Sequence, residues 1–327
     1  MNLPMSTGLK WSPLHQESLS ALTRLIDRME RQDNPPYRTS TTEVDEMFSS
    51  PHPSSALGGW DADGQLRAYG FVRLQPGLVT QAICAGGVDP MWRNRGVGKA
   101  ILRWEVAAAR EILIASPAPT QIVMYVDGTS SGFAQRLVEE GFTPRRTFTE
   151  LRRPVEPDVE IVEPGRYLSV VPWSQDLDDQ VMRAHNKLLA EISGTPEVHT
   201  GEWLTSGTFF APEWSFVVLD KSTDRTRVAG YLMSGRYEQD WAALGWKEGY
   251  TEILGVLPDW RDTSTALALV TSAMKAYAEG GMEYAAVGLA ADNTTGVADI
   301  YSQLGYSFVG TSTMWVIDNT TGATPQQ

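Results

Sequence analysis

Cysteine is almost missing from this chain: Cys84 is alone among 327 residues. That excludes an internal disulfide and fits a reducing compartment. No apolar run reaches the roughly 18 residues that a membrane-spanning helix needs. Positive charge is also scarce, since 27 Lys and Arg face 40 Asp and Glu for a formal charge of −13. No basic face suited to nucleic acid stands out. The four histidines, His15, His52, His185 and His199, show no metal-ligand spacing, so no metal site is expected. Residues 1–13 lack a charged stretch leading into an apolar one, so no secretory signal is expected. These absences point to a cytoplasmic protein, without nucleic-acid or membrane partners, that acts on a small molecule. The acidic balance is compatible with a cationic acceptor such as an amine.

What the chain does have is an internal repeat. Val88-Asp-Pro-Met-Trp-Arg93 recurs as Val256-Leu-Pro-Asp-Trp-Arg261, an offset of 168, and Gly141-Phe142 recurs as Gly305-Tyr306, an offset of 164. Similar signals in the same order at nearly the same offset mean a duplicated domain, with a period far too long for a solenoid. The length suits two domains of about 150 residues, and a hydrophobic share of 42% can build both cores.

Periodicity fills in each copy. Leu19, Leu22, Leu25, Ile26 and Met29 mark a helix that Asn34-Pro-Pro36 stops. A short helix over 41–48 and a hairpin around 61–64 come next. A strand over 80–88, a helix over 98–114, a strand over 121–126, a helix over 131–140 and a strand over 147–152 complete the copy. The second half repeats this order. The expected layout is 1–153 for the first domain, 154–165 for an acidic, Pro-rich linker, 166–319 for the second domain, and a loose tail over 320–327. Each domain is expected to be α/β, a mixed twisted sheet flanked by helices.

The run Val88-Asp-Pro-Met-Trp-Arg93-Asn94-Arg95-Gly96-Val97-Gly98-Lys99, between a strand and a helix, has a clear physical use. A pyrophosphate sits against free backbone N–H groups at a helix N-terminus, and glycines let the backbone come close. Arg93, Arg95 and Lys99 place three positive charges around it. This VxPxxRxxGxG pattern resembles the acyl-CoA signature of the GNAT acetyltransferase superfamily. The tandem arrangement looks like that of mycothiol synthase-type proteins. The resemblance implies acetyl-CoA as co-substrate, a small amine as acceptor, and direct acetyl transfer. It also implies a splay between the strand ending at VxP and the next one, which admits the pantetheine arm.

The copies differ in what they retain. In the second, Ser264 replaces the first glycine, Ala266 the second, and Leu267 stands in place of Lys99, with Asp262 beside Arg261. Local charge falls from +3 to about zero, so weaker cofactor binding is expected at Val256, Arg261, Ser264 and Ala266. Catalytic groups show the reverse imbalance. The family often places a tyrosine acid four residues before the Gly-aromatic pair, which is Tyr301 in the second copy and Leu137 in the first. Its base is often a carboxylate four positions before the valine, which is Glu252 in the second copy and Cys84 in the first. Asn293 matches the asparagine that contacts the cofactor; the first copy has Thr129. The reading is therefore an N-acetyltransferase whose second copy is catalytic, with Tyr301 as general acid and Glu252 as base. Two alternatives stay open: catalysis in the first copy, or a non-enzymatic acyl-CoA sensor. His185, Trp241 and Trp246 are candidates to border an acceptor, or simply to pack.

Overall fold

The computed structural model describes residues 7–49, 51–77, 79–128, 131–191, 203–261, 264–291 and 296–319. The elements of the first half are β1 (Lys10–Pro13), α1 (Leu19–Asp33), α2 (Thr41–Ser49), β2 (Ser54–Trp60), β3 (Leu66–Gln75), β4 (Thr80–Val88), α3 (Val97–Leu113), β5 (Thr120–Asp127), α4 (Ser131–Glu139) and β6 (Thr143–Pro154). The second half continues with β7 (Leu168–Pro172), α5 (Gln175–Glu191), β8 (Phe216–Asp220), β9 (Arg227–Gly235), α6 (Glu238–Leu244), β10 (Glu248–Val256), α7 (Thr265–Glu279), β11 (Tyr284–Ala290), α8 (Val297–Gln303) and β12 (Ser307–Asn319).

The chain divides into two compact units, but not at the expected linker. Unit 1 is Met1–Thr147 with Ser312–Gln327, and unit 2 is Phe148–Thr311. Each unit takes its last strand from the other end of the chain. In unit 1, Ser312–Asn319 of β12 runs antiparallel to all of β5. In unit 2, Phe148–Pro154 of β6 runs antiparallel to all of β11. The expected boundaries 1–153 and 166–319 therefore give way to an exchange. Both strands follow a Gly-aromatic stop, so either pattern fits either sheet. The expected tail, 320–327, lies outside the described residues.

In unit 1 the order β1-β2-β3-β4-β5-β12 carries helices on both faces. Leu22, Leu25 and Ile26 of α1 bury against Tyr69 and Phe71 on one face. Ile101, Leu102 and Trp104 of α3 pack with Ile122 and Met124 on the other. The helix α1 ends as its Asn-Pro-Pro sequence demands. Asn34 caps it in the left-handed region at φ 45°, and its N–H donates to the Glu30 carbonyl at 2.8 Å. Unit 2 repeats the plan as β6-β11-β10-β9-β8-β7, with Leu269, Met274 and Tyr277 of α7 at its centre.

Both sheets open at the same place. The strands β4 and β5 pair in parallel only from Thr80↔Thr120 to Ile83↔Val123, although β4 runs on to Val88. Likewise β10 and β11 pair from Glu248↔Tyr284 to Thr251↔Val287, while β10 continues to Val256. Each unit thus holds the wedge that the motif implied. The helices α4 and α8 close in the same way, through Gly141 and Gly305 at positive φ. The next N–H then reaches back, Phe142 to the Leu137 carbonyl at 2.9 Å and Tyr306 to that of Tyr301 at 3.0 Å. This 6→1 bond defines a Schellman stop and makes Leu137 and Tyr301 structural equivalents.

Candidate functional site

In unit 1 the turn after β4 is built on a buried ionic clasp that sequence reasoning missed. Asp89, 1% exposed, accepts from the Met91 N–H at 3.0 Å, from Arg28 at 2.8 Å and from Arg67 at 3.0 Å. Burial works against its charge, yet these donors hold its carboxyl below the usual range. Unit 2 has Leu257 at this position, packed into the core instead.

The loop itself presents backbone rather than side-chain charge. Gly96 caps α3 at φ 79°, and a side chain at Gly96 would meet nothing within 4 Å. Asn94 is also left-handed, at φ 61°. Val97 is buried under the first turn, while Gly98 is half-buried. The three cations of the loop each have a partner close by. Arg93 makes two bonds of 2.6 Å to Asp33 and one of 3.2 Å to the Val88 carbonyl, so it pins the turn. Arg95 lies over the Trp92 ring at 4.9 Å, and Lys99 is 3.5 Å from Glu139. These partners, Asp33, Trp92 and Glu139, stand on neighbouring elements, and the exposed Lys99–Glu139 pair is a weak one. The free N–H groups and the helix dipole are left as the anion attractors. Past the last pairing with β5, Ala85 and Gly86 are exposed, so the wedge is open along β4.

Unit 2 departs at the same loop. Ser264 caps α7 at φ −73°, without the left-handed turn of Gly96. Arg261 reaches the Val256 carbonyl at 3.4 Å, and Ala266 is half-buried. No residue of β10 is as open as Ala85 and Gly86. Asp262 and Asn293 lie outside the described residues.

The wedge of unit 2 is instead flanked by titratable groups. A register shift between Thr251 and Ile253 makes Glu252 an extra, bulged residue in β10. Counting back from the valine equates Glu252 with Cys84, but the bulge makes Thr251 the register counterpart of Cys84. Thr251 and Ser234 both reach the Tyr277 hydroxyl, at 3.2 and 2.7 Å, on the α7 face. Glu252 turns to the opposite face, where the Tyr237 hydroxyl donates to it at 2.6 Å. Nearby, the Tyr250 hydroxyl donates to Glu150 at 3.1 Å. Burial raises the pKa of Glu252; its bond from Tyr237 opposes the rise, and the Glu150 charge adds to it. On the same face the Tyr231 hydroxyl lies 2.7 Å from Nδ1 of His185, and burial lowers the pKa of that histidine.

Tyr301 lies on the α7 face, fully buried, with its ring edge-on to Tyr306 at 4.9 Å. Among the described residues its hydroxyl makes no hydrogen bond of full geometry, though the Thr251 hydroxyl is close enough to act on it. Burial, with Tyr277 beside it, keeps the phenol protonated, and the Thr251 hydroxyl is the group that opposes this. Thr251 is the last residue of β10 paired with β11, so the Tyr301 hydroxyl sits by the apex of the wedge. Tyr301 and Glu252 therefore stand on opposite faces of the sheet at its point of splay. In unit 1 Leu137 stands in the place of Tyr301, the bulged Glu252 has no counterpart, and burial pushes the thiol of Cys84, the counterpart of Thr251, far up.

The two tryptophans do not border the site. Trp241 is in a helix, α6, rather than a loop, and donates to the Glu248 carbonyl at 3.3 Å. Trp246 donates to the Glu248 carboxylate at 2.9 Å beneath the guanidinium of Arg152. Among the described residues, no group of three or more His, Cys, Asp or Glu is placed to hold a metal. No helix among them is long and apolar enough to cross a membrane.

One further carboxyl was invisible to motif reading. Glu105 of α3 is 2% exposed, and burial raises its pKa from the ordinary 4.5 to about 8, against a backbone bond from Phe71. The folded state therefore holds this proton more tightly than the unfolded chain, and stability falls as the pH rises from about 4.5 toward about 8. Thermal melts across this range should show the wild type losing stability relative to Glu105→Gln as the pH rises. Parallel curves would contradict this.

No protein-family model matches the chain, and no curated protein matches it. Solved structures do. A GCN5-related N-acetyltransferase from Sphaerobacter thermophilus aligns over 97% of both chains at 18% identity and a TM-score of 0.74. A tandem GNAT protein from the clavulanic acid biosynthesis pathway aligns over 96% of this chain and 99% of its own, at 13% identity and a TM-score of 0.71. A GCN5-related glucosamine N-acetyltransferase region of a fungal multi-domain β-N-acetylglucosaminidase covers 94% of this chain, and 38% of the fungal chain is matched, at 12% identity and a TM-score of 0.66. The chain has the fold of the GCN5-related N-acetyltransferases, in the tandem arrangement.

Proposed function

We propose that the protein is a cytoplasmic acetyl-CoA-dependent N-acetyltransferase acting on a small amine, with its catalytic centre in unit 2. The observation that carries this reading is the placing of Tyr301 and Glu252 at the apex of the β10–β11 wedge, on opposite faces. Direct transfer uses two such groups at one point, a base for the proton of the amine that adds to the thioester carbonyl and an acid for the sulfur that leaves the tetrahedral intermediate. Acetyl-CoA supplies the acyl group as a thioester. Glu252, reached from the α5 face, takes the proton of the amine. Tyr301, on the α7 face, holds a proton for the departing sulfur. The carboxylates of Glu252 and Glu150 favour a cationic acceptor on that face. Unit 1, with its left-handed Gly96 and open β4, is the tighter cofactor site and acts as a binding or regulatory partner. The open loop also favours a second reading, in which unit 1 itself turns over.

The base is tested by its pH profile. Glu252 must be ionised to accept a proton, so its raised pKa sets the acidic limb of kcat/KM above that of a free glutamate. Tyr237→Phe removes the bond that favours the charged form and should move the limb to higher pH. Glu150→Gln removes a like charge and should move it lower. Glu252→Gln should reduce kcat roughly 10²-fold. A limb that ignores both neighbours assigns the base elsewhere.

A further inference from the structure

In unit 1 Leu137 occupies the place of Tyr301, and Cys84 is held as a neutral thiol, so the wedge there has neither of the groups found in unit 2. It does have a carboxyl whose backbone bond from Phe71 leaves an oxygen over. Oε1 of Glu105 is buried and finds no hydrogen-bond partner among the described residues. The titratable groups acting with it are Cys84 of β4 and Tyr69 of β3, while Glu30 of α1 lies beyond Tyr69. None of these is a cation. A buried carboxyl with an idle oxygen lowers stability and points to use by a ligand.

Its position says which ligand. A side chain at Gly86 would run into Oε1 of Glu105, so the carboxyl lies directly against that glycine. Gly86 is exposed and lies past Ile83, where β4 leaves β5. A single residue without a side chain therefore separates the carboxyl from the open wedge. On the same strand the turn at 89–96 leads to the free N–H groups of α3. A ligand anchored there by its phosphates and running along β4 passes Gly86.

We propose that the Glu105 carboxyl donates a hydrogen bond to the acyl-CoA chain held in the wedge of unit 1, at an amide or thioester carbonyl beside Gly86. This rests on the reading that unit 1 binds acetyl-CoA. The carboxyl carries the needed proton at neutral pH, since burial has lifted its pKa to about 8. No bond is made or broken: a neutral O–H donates and a carbonyl oxygen accepts.

The test is calorimetric titration of the full chain with acetyl-CoA, paired with thermal melts. Glu105→Leu should melt no lower than wild type, because it removes an idle buried oxygen, while affinity at the tight site falls about tenfold. Glu105→Gln retains a donor and should bind within about threefold of wild type. If Glu105→Leu does not fold, Glu105→Met takes its place. An apolar variant that folds and binds as wild type overturns the proposal, as does one that melts lower with unchanged affinity. Gly96→Glu run alongside separates the two ideas. Normal binding by that variant overturns the cofactor's assignment to unit 1. Loss of the tight site there, with binding intact in Glu105→Leu, removes the role of Glu105 alone.

Discussion

Gly96→Glu is expected to abolish tight acetyl-CoA binding in unit 1, a loss of roughly 100-fold or more when backbone and charge effects act together. Gly96 sits at φ 79°, where any residue with a Cβ is strained by about 1 kcal/mol. The strain alone would weaken the loop several-fold. The carboxylate does more, because it occupies the mouth of a helix whose free N–H groups and dipole attract an anion. Arg93 cannot compensate, since Asp33 already matches its charge through two bonds of 2.6 Å. Stability should fall by about that strain and no further, as nothing lies within 4 Å of the new side chain's base. Calorimetry reads the outcome as disappearance of the tight phase with a melting temperature lowered by only about 2–4 °C. A variant that still shows that phase would remove the phosphate site from this loop.

Tyr301→Phe should lower kcat roughly 10²-fold or more, the usual scale for a lost general acid, with little change in the KM for acetyl-CoA. The ring is fully buried and its hydroxyl makes no hydrogen bond of full geometry among the described residues, so phenylalanine fills the same space at little cost. The variant should melt at or above the wild-type temperature. That pairing of lost turnover with retained stability is what a packing role cannot give. Tyr306→Phe is the matched control, because its hydroxyl is also buried without a partner but lies beyond the stop at Gly305. It should gain stability and keep kcat. Tyr301→Phe with wild-type turnover on a proven acceptor would place catalysis outside unit 2.

Much of the fold was legible because each signal depends on its own few residues. The VxPxWR repeat, the Asn34-Pro-Pro36 stop and the Gly-aromatic pairs each reflect local backbone chemistry, and each is found where the sequence placed it. The exchange of β6 and β12 was not legible, since a strand edge accepts any neighbour of the right length and pattern. The bulge at Glu252 also escaped, because one extra residue leaves no composition signal and shifts the count by one. Charge counting could not show that Arg93 and Lys99 are paired, because their partners Asp33 and Glu139 come from elements distant in sequence. Glu105 was hidden for a simpler reason. A glutamate in a helix is ordinarily a solvated one, and only the packing against Gly86 marks it as different.

The exchanged strands also set a timetable for the nascent chain. Unit 1 completes its sheet only with Ser312–Asn319, so its first half leaves the ribosome with the edge of β5 bare. At ordinary translation speeds the wait from residue 127 to residue 319 lasts on the order of ten to forty seconds. During that time an unpaired edge is open to any passing strand. The intervening β6 is then committed to a partner, β11, that has yet to be made. A ribosome that stalls anywhere in the second half leaves two incomplete sheets rather than one finished domain.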